Sequence, residues 1–146
     1  MKKELQDDLF KKYPKLYRQK DEPYTRSLMC FGFACGDGWY SILDTLSAEI
    51  QDRVDYINGE GKHAYRKQWL PEDHVNTIVE ACQVKEKYGT LRFYYDGNDD
   101  FIEGLVSFAE SLSAKTCEIC GEHGFLETKG WHKVRCKKHE GLPLKY

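Results

Sequence analysis

No stretch of this 146-residue chain approaches the roughly 20 consecutive apolar residues that span a bilayer as a helix, so no helical membrane span is expected in it. The start, MKKELQDDLFKKYPKL, is too polar for the apolar region of a secretory signal, and we expect a cytoplasmic protein. A large charge excess of either sign is also missing. The formal net charge is −2, distributed as +3 over residues 1–27, −8 over 28–114 and +3 over 115–146. An acidic middle repels phosphate backbones, which disfavours nucleic-acid binding across the whole surface and leaves only local basic patches. No internal repeat is present, and no G-K-[ST] follows the glycine-rich bend at 31–39, which removes a P-loop. Cys35 and Asp37 are the only candidates for catalysis, and neither has an assignable base or acid partner.

Six cysteines in a chain read as cytoplasmic point to metal binding or free thiols rather than to a disulfide framework. At 40% hydrophobic and 14% aromatic, the chain can bury the core of one domain.

Leu5, Leu9, Phe10 and Tyr13 recur at helical spacing before Pro14, which predicts a first helix over 3–13. After irregular residues 14–29 and the bend FGFACGDGW, Asp37 is the expected N-cap of a long helix. Its stripe is Trp39, Ile42, Leu43, Leu46, Ile50 and Val54. Residues 55–75 read as a polar, partly structured connection containing the surface histidines His63 and His74. A β-hairpin follows, turning at Tyr88-Gly89, which sets Val84 opposite Phe93, Glu86 opposite Leu91, Lys85 opposite Arg92 and Gln83 opposite Tyr94. Asp100 with Glu103 gives a capping-box pattern, and Phe101, Leu105, Phe108 and Leu112 form the expected buried stripe of a last helix ending near Ser113. The order predicts an α+β fold with helices packed on a small antiparallel hairpin or sheet. Residues 1–114 form the core, and 115–146 form a zinc-ribbon-like module packed on it.

The strongest chemical signal is C-x2-C-x15-C-x2-H, formed by Cys117, Cys120, Cys136 and His139. Two short hooks, each aiming two donors at one point and joined by enough chain to return, suit one structural zinc ion. All four coordination positions would be filled by protein. His123 and His132 lie near enough in sequence to compete for the fourth position, and spacing favours His139.

Taken together, FGFACGDGWYSILDTL, QVKEKYGTLRFYY, CEICGEHG and GWHKVRCKKH resemble a group of small proteins encoded by bacteriophages and prophages, over roughly residues 28–139. The resemblance implies a genetic setting, a phage accessory protein in the cytoplasm of a bacterial host, and no particular mechanism.

Two surfaces remain as ligand candidates. Lys85, Lys87 and Arg92 on one face of the hairpin, with Tyr94 and Trp39 as stacking partners, could hold an anionic nucleotide-type ligand. Arg135, Lys137 and Lys138, beside Lys133 and Trp131, could contact nucleic acid. The leading expectation is a non-enzymatic accessory protein that binds and neutralises a host component, either a defence protein or a nucleotide-type signal. The second is a nucleic-acid-binding regulator, and the third an enzyme acting on a nucleotide through Cys35 or Asp37. Oligomeric state is open at this level.

Overall fold

The computed structural model describes residues 1–143; the last three residues of the expected module lie outside the described residues. Three α-helices, α1 (Lys3–Lys12), α2 (Tyr40–Asn58) and α3 (Asp100–Ser113), are combined with five short strands. β1 (Phe33–Ala34), β2 (Glu80–Lys87) and β3 (Thr90–Asp96) form one sheet, and β4 (Phe125–Glu127) and β5 (Lys133–Arg135) form a separate ribbon. Helices and small sheets are thus mixed as expected of an α+β protein. No helix among the described residues is long and apolar enough to cross a membrane.

The hairpin has the expected register, with Gln83 opposite Tyr94, Val84 opposite Phe93, Lys85 opposite Arg92 and Glu86 opposite Leu91. Its two-residue turn has positive φ at both central positions, 53° at Tyr88 and 82° at Gly89, the twist that lets two strands continue antiparallel. A third strand went unrecognised in the sequence. β1 lies parallel to β2, with Phe33 beside Val84 and Ala34 beside Lys85, so the glycine-rich bend is joined to the hairpin by backbone pairing. Two residues flanked by glycines carry too little periodicity to read as a strand.

α2 is the spine of the core. Ile42, Leu43, Leu46 and Ile50 are buried along one face, with Trp39 at its start fully enclosed. The expected cap is corrected. A 3₁₀ turn over Asp37–Trp39 precedes α2 and Asp37 makes no side-chain cap; its carboxylate instead accepts from the backbone N–H of Lys2 at 2.7 Å. The connection 55–75 is more ordered than its composition suggested. α2 runs on to Asn58, Gly59 closes it in the left-handed conformation, and a nine-residue 3₁₀ segment follows over Gly61–Trp69. His63 is drawn in rather than solvated, with Nε2 3.0 Å from Asp52.

The last helix departs from expectation in two linked ways. Asp99, not Asp100, is the N-cap, its carboxylate accepting from Ile102 N at 3.0 Å. The buried face is Ile102, Val106, Ala109 and Ser113, while Phe101, Phe108 and Leu112 are exposed. Because α3 carries two apolar stripes, periodicity could not say which one turns inward. Fixed bonds at both ends decide the rotation. Arg53 of α2 grips the Asp99 carboxylate with Nε and Nη2 at 2.9–3.2 Å. At the other end Ser113 Oγ accepts from Leu91 N at 2.8 Å, and Glu110 accepts from Phe93 N at 3.0 Å. These two N–H groups lie on the free edge of β3, so α3 also closes an edge that would otherwise be open to pairing.

Two predictions follow from these contacts. Ser113→Ala leaves Leu91 N buried without an acceptor, and urea unfolding should show a loss of about 1–3 kcal/mol. Asp99 is held below the usual carboxylate range, first by its bond to Arg53 and further by the N–H groups it caps, with burial opposing. A lowered folded-state value means stability that is present above the ordinary aspartate range and is lost as pH falls from there through the lowered value. Asp99→Asn keeps a cap but loses the ion pair. Unfolding measured from neutral to acid pH should therefore show the variant weaker than the parent at neutral pH and level with it at the acid end.

Candidate metal centre

Two hooks project from the ends of the β4–β5 ribbon. In the first, Cys117 N donates to Glu122 O at 2.7 Å and Gly121 N returns to Cys117 O at 2.8 Å, with Gly121 at φ 81°. In the second, a 3₁₀ turn over Lys137–His139 returns His139 N to Cys136 O at 2.9 Å. The ribbon pairs Phe125 with Arg135 and Leu126 with Val134, and Glu118 N donates to Val134 O at 3.2 Å, which brings the hooks together.

The four donor atoms converge. Cys117 Sγ, Cys120 Sγ, Cys136 Sγ and a ring nitrogen of His139 all lie within 4.8 Å of one another, a cluster that could hold a metal ion. The closest approaches are 3.8 Å between Cys120 Sγ and Cys136 Sγ, 3.6 Å from Cys117 Sγ to His139 Nδ1, and 3.3 Å from Cys136 Sγ to the same nitrogen. The competing histidines fall outside the cluster. His123 packs edge-on against Phe125 with ring centroids 5.0 Å apart, and His132 lines a cleft of about 290 Å³ beside Trp131 and Glu86. Burial pushes the Cys117 thiol up, but the backbone N–H groups of Cys136, Cys120 and Ile119 together with His139 outweigh it and hold the thiol at about 6.

Glu118, inside the first hook, attaches this cluster to the core. Its carboxylate accepts from Gly36 N at 2.9 Å, and its carbonyl accepts from Gly38 N at 2.9 Å. The N–H groups of both glycines in the Gly-Asp-Gly bend are thus occupied by Glu118. The other carboxylate oxygen meets Arg135 Nη1 at 3.3 Å, with the Glu118 and Arg135 side chains 1% and 2% exposed. Burial pushes the Glu118 carboxyl up, opposed by Gly36 N–H and Arg135. Arg135 in turn donates to the carbonyls of Val134 at 2.8 Å and Leu142 at 3.0 Å. Trp39 Nε1 adds a bond to Thr116 O at 2.9 Å. At the hairpin tip, a Cβ on Gly89 would lie 3.0 Å from Lys133 N, so the turn packs against the ribbon.

These contacts correct several expectations. Arg135 is not a surface cation; it is the buried partner of Glu118, leaving Lys137 and Lys138 exposed while Lys133 is tied to Glu127 at 3.4 Å. Trp39 is fully buried and has no face for a ligand. On the hairpin, Arg92 is turned onto Thr90 Oγ1 and Leu91 O at 2.7 and 2.6 Å, with Glu110 at 4.0 Å. Lys85 is half-buried, while Lys87 and Tyr94 are exposed on the same hairpin. Cys35 is fully buried, and burial pushes its thiol up to about 12, which removes it as a nucleophile. Glu118 was missed altogether. The available signal was an acid between two ligand cysteines and an arginine directly before the third, opposite charges that the two hooks must bring together.

Compared with protein-family models, curated proteins and solved structures, the chain matches none.

Gly38 gives the sharpest test of the docking. A Cβ there would come within 2.5 Å of Gly121 N and 2.8 Å of Cys120 N, and closer still to the Cys117 carbonyl. All three are backbone atoms that cannot rotate away. Gly38→Ala should cost about 3 kcal/mol in urea unfolding and loosen the hook, whereas Gly130→Ala, with open space around it, should leave the Cys/His cluster intact.

Proposed function

We propose that the cluster holds one structural zinc ion and that the protein acts by binding a partner rather than by catalysis at the metal. The observation that carries this reading is the convergence of four protein donors on one point. A zinc ion with bonds of about 2.3 Å to sulfur and about 2.0–2.1 Å to nitrogen sets tetrahedral edges of about 3.8 Å between sulfurs and about 3.6 Å from sulfur to nitrogen. The spacings of 3.8 and 3.6 Å match those edges, the third, 3.3 Å, is shorter, and all four donors lie within 4.8 Å of one another. Three thiolates and an imidazole favour zinc over calcium or magnesium, and a site filled by protein leaves no position for water or substrate. The metal then holds a zinc-ribbon-like segment against the core.

The partner we favour is a host protein, in the setting of a phage accessory protein that neutralises a host defence. The resemblance carried by the four sequence segments supports that setting. The pairing of Arg92 and the burial of Trp39 and Arg135 weigh against the nucleotide-type and nucleic-acid versions, which retain only Lys85, Lys87 and Tyr94, or Lys137 and Lys138.

Native mass spectrometry of protein purified from host cells should show one zinc per chain and no small molecule, and cobalt exchanged into the site should give the visible absorption of a tetrahedral thiolate centre. Cys136→Ser should lose the metal, and affinity capture with the metal-loaded parent should retain a single host protein that the variant releases. Protein that purifies without metal and unfolds identically with and without chelator would overturn the zinc reading. A bound nucleotide in the native spectrum would overturn the choice of partner.

A further inference from the structure

Helix α3 buries one apolar face and exposes another. Ile102, Val106 and Ala109 are turned into the core. About 110° around the helix, at 100° per residue, Phe101, Phe108 and Leu112 are 53%, 68% and 42% exposed. Gly104 sits between the two phenylalanines, and a Cβ added there would meet nothing within 4 Å. Ser111, also exposed, lies one heptad further on the same face. Glu103 and Glu110 lie on the third side of the helix, and the Arg53 guanidinium lies 5.3 Å from the centroid of the Phe101 ring at the N-terminal end of the stripe. Leaving a phenylalanine two-thirds exposed in mid-helix forgoes free energy that a partner's apolar face would recover.

The sequence of large and small residues on this face is complementary to itself. In an antiparallel pair of α3 helices related by a two-fold axis at the level of residue 106, Phe101 of one copy faces Ser111 of the other, and Gly104 faces Phe108. Symmetry repeats both pairs, so four aromatic rings enter four gaps. The same register brings Lys115, exposed just beyond the end of α3, beside Asp100 in the acidic first turn of the second copy. Among the described residues neither has an ion-pair partner within its own chain. The helix dipoles then run in opposite directions, which favours the pairing.

We propose that the protein forms a two-fold dimer through the outer face of α3, with a second copy of the chain as the occupant. The inference is independent of the metal centre. A 14-residue helix is about 21 Å long, so its seam alone covers far less than the roughly 800 Å² per partner of a standard interface. The dimer is accordingly a reversible one that forms in the micromolar range and above.

Sedimentation equilibrium over a concentration series spanning the micromolar range should show the mass rise from one chain toward two. Phe108→Asp should raise the dissociation constant at least tenfold. Gly104→Leu is the more telling variant: it fills open space in the single chain and favours the helix, yet it blocks the gap for the other copy's Phe108, so dimerisation should be lost while resistance to unfolding is kept or raised. Lys115→Glu should weaken the dimer, and adding Asp100→Lys should restore it, as only the antiparallel register demands. Either of two results would overturn the proposal: a single-chain mass at every concentration, or a dimer indifferent to both Phe108→Asp and Gly104→Leu. If the chain stays monomeric and Phe108→Asp instead abolishes capture of a host protein, the face belongs to a foreign partner and the dimer is refuted.

Discussion

The carboxylate of Glu118 joins the two parts of this protein. It lies between two cysteines of the candidate metal site, accepts an N–H from the Gly36 bend, and pairs with Arg135, which precedes the third cysteine. A buried ion pair adds little net stability, because desolvation offsets most of the attraction. Its importance lies in register. Neither charge tolerates burial alone, so the first hook, the ribbon and the glycine-rich bend must meet in one arrangement. Gly38 is then required because the hook's backbone sits directly against it.

The rest of the molecule is arranged around that junction. β1 continues from the bend into the sheet beside β2, the tip of the hairpin reaches the ribbon at Gly89, and Trp39 closes the space between bend and hook. A zinc ion at the four donors would add a second constraint on the same geometry. The metal would secure the hooks to each other, while Glu118 secures them to the core. α3 is set by polar contacts at both ends, and the aromatic face left outside follows from that setting.

Much of this was legible in the sequence because it depends on short-range chemistry. The turn at Tyr88-Gly89 fixes strand pairing within a few residues, and α2 carries a single apolar stripe that can face only one way. The four candidate metal ligands could be chosen because two-residue spacers constrain where donors point. The failures have a common cause. The two-residue β1 has no period of its own, Asp99 and Asp100 are equally good caps until Arg53 selects one, and α3 offers two stripes of similar hydrophobicity. Arg135 looked like a surface cation because its partner is 17 residues away, on the other hook.

The sequence by itself determined the three helices, the register of the hairpin and the identity of the four convergent donors, since each follows from periodicity or spacing between near neighbours. Only the tertiary structure decided which face of α3 is buried, that Arg135 and Trp39 are interior, and that the bend is filled by Glu118 rather than open to a ligand. Those outcomes depend on which distant groups satisfy one another's charges and hydrogen bonds once water is excluded, and no local pattern encodes the choice of partner.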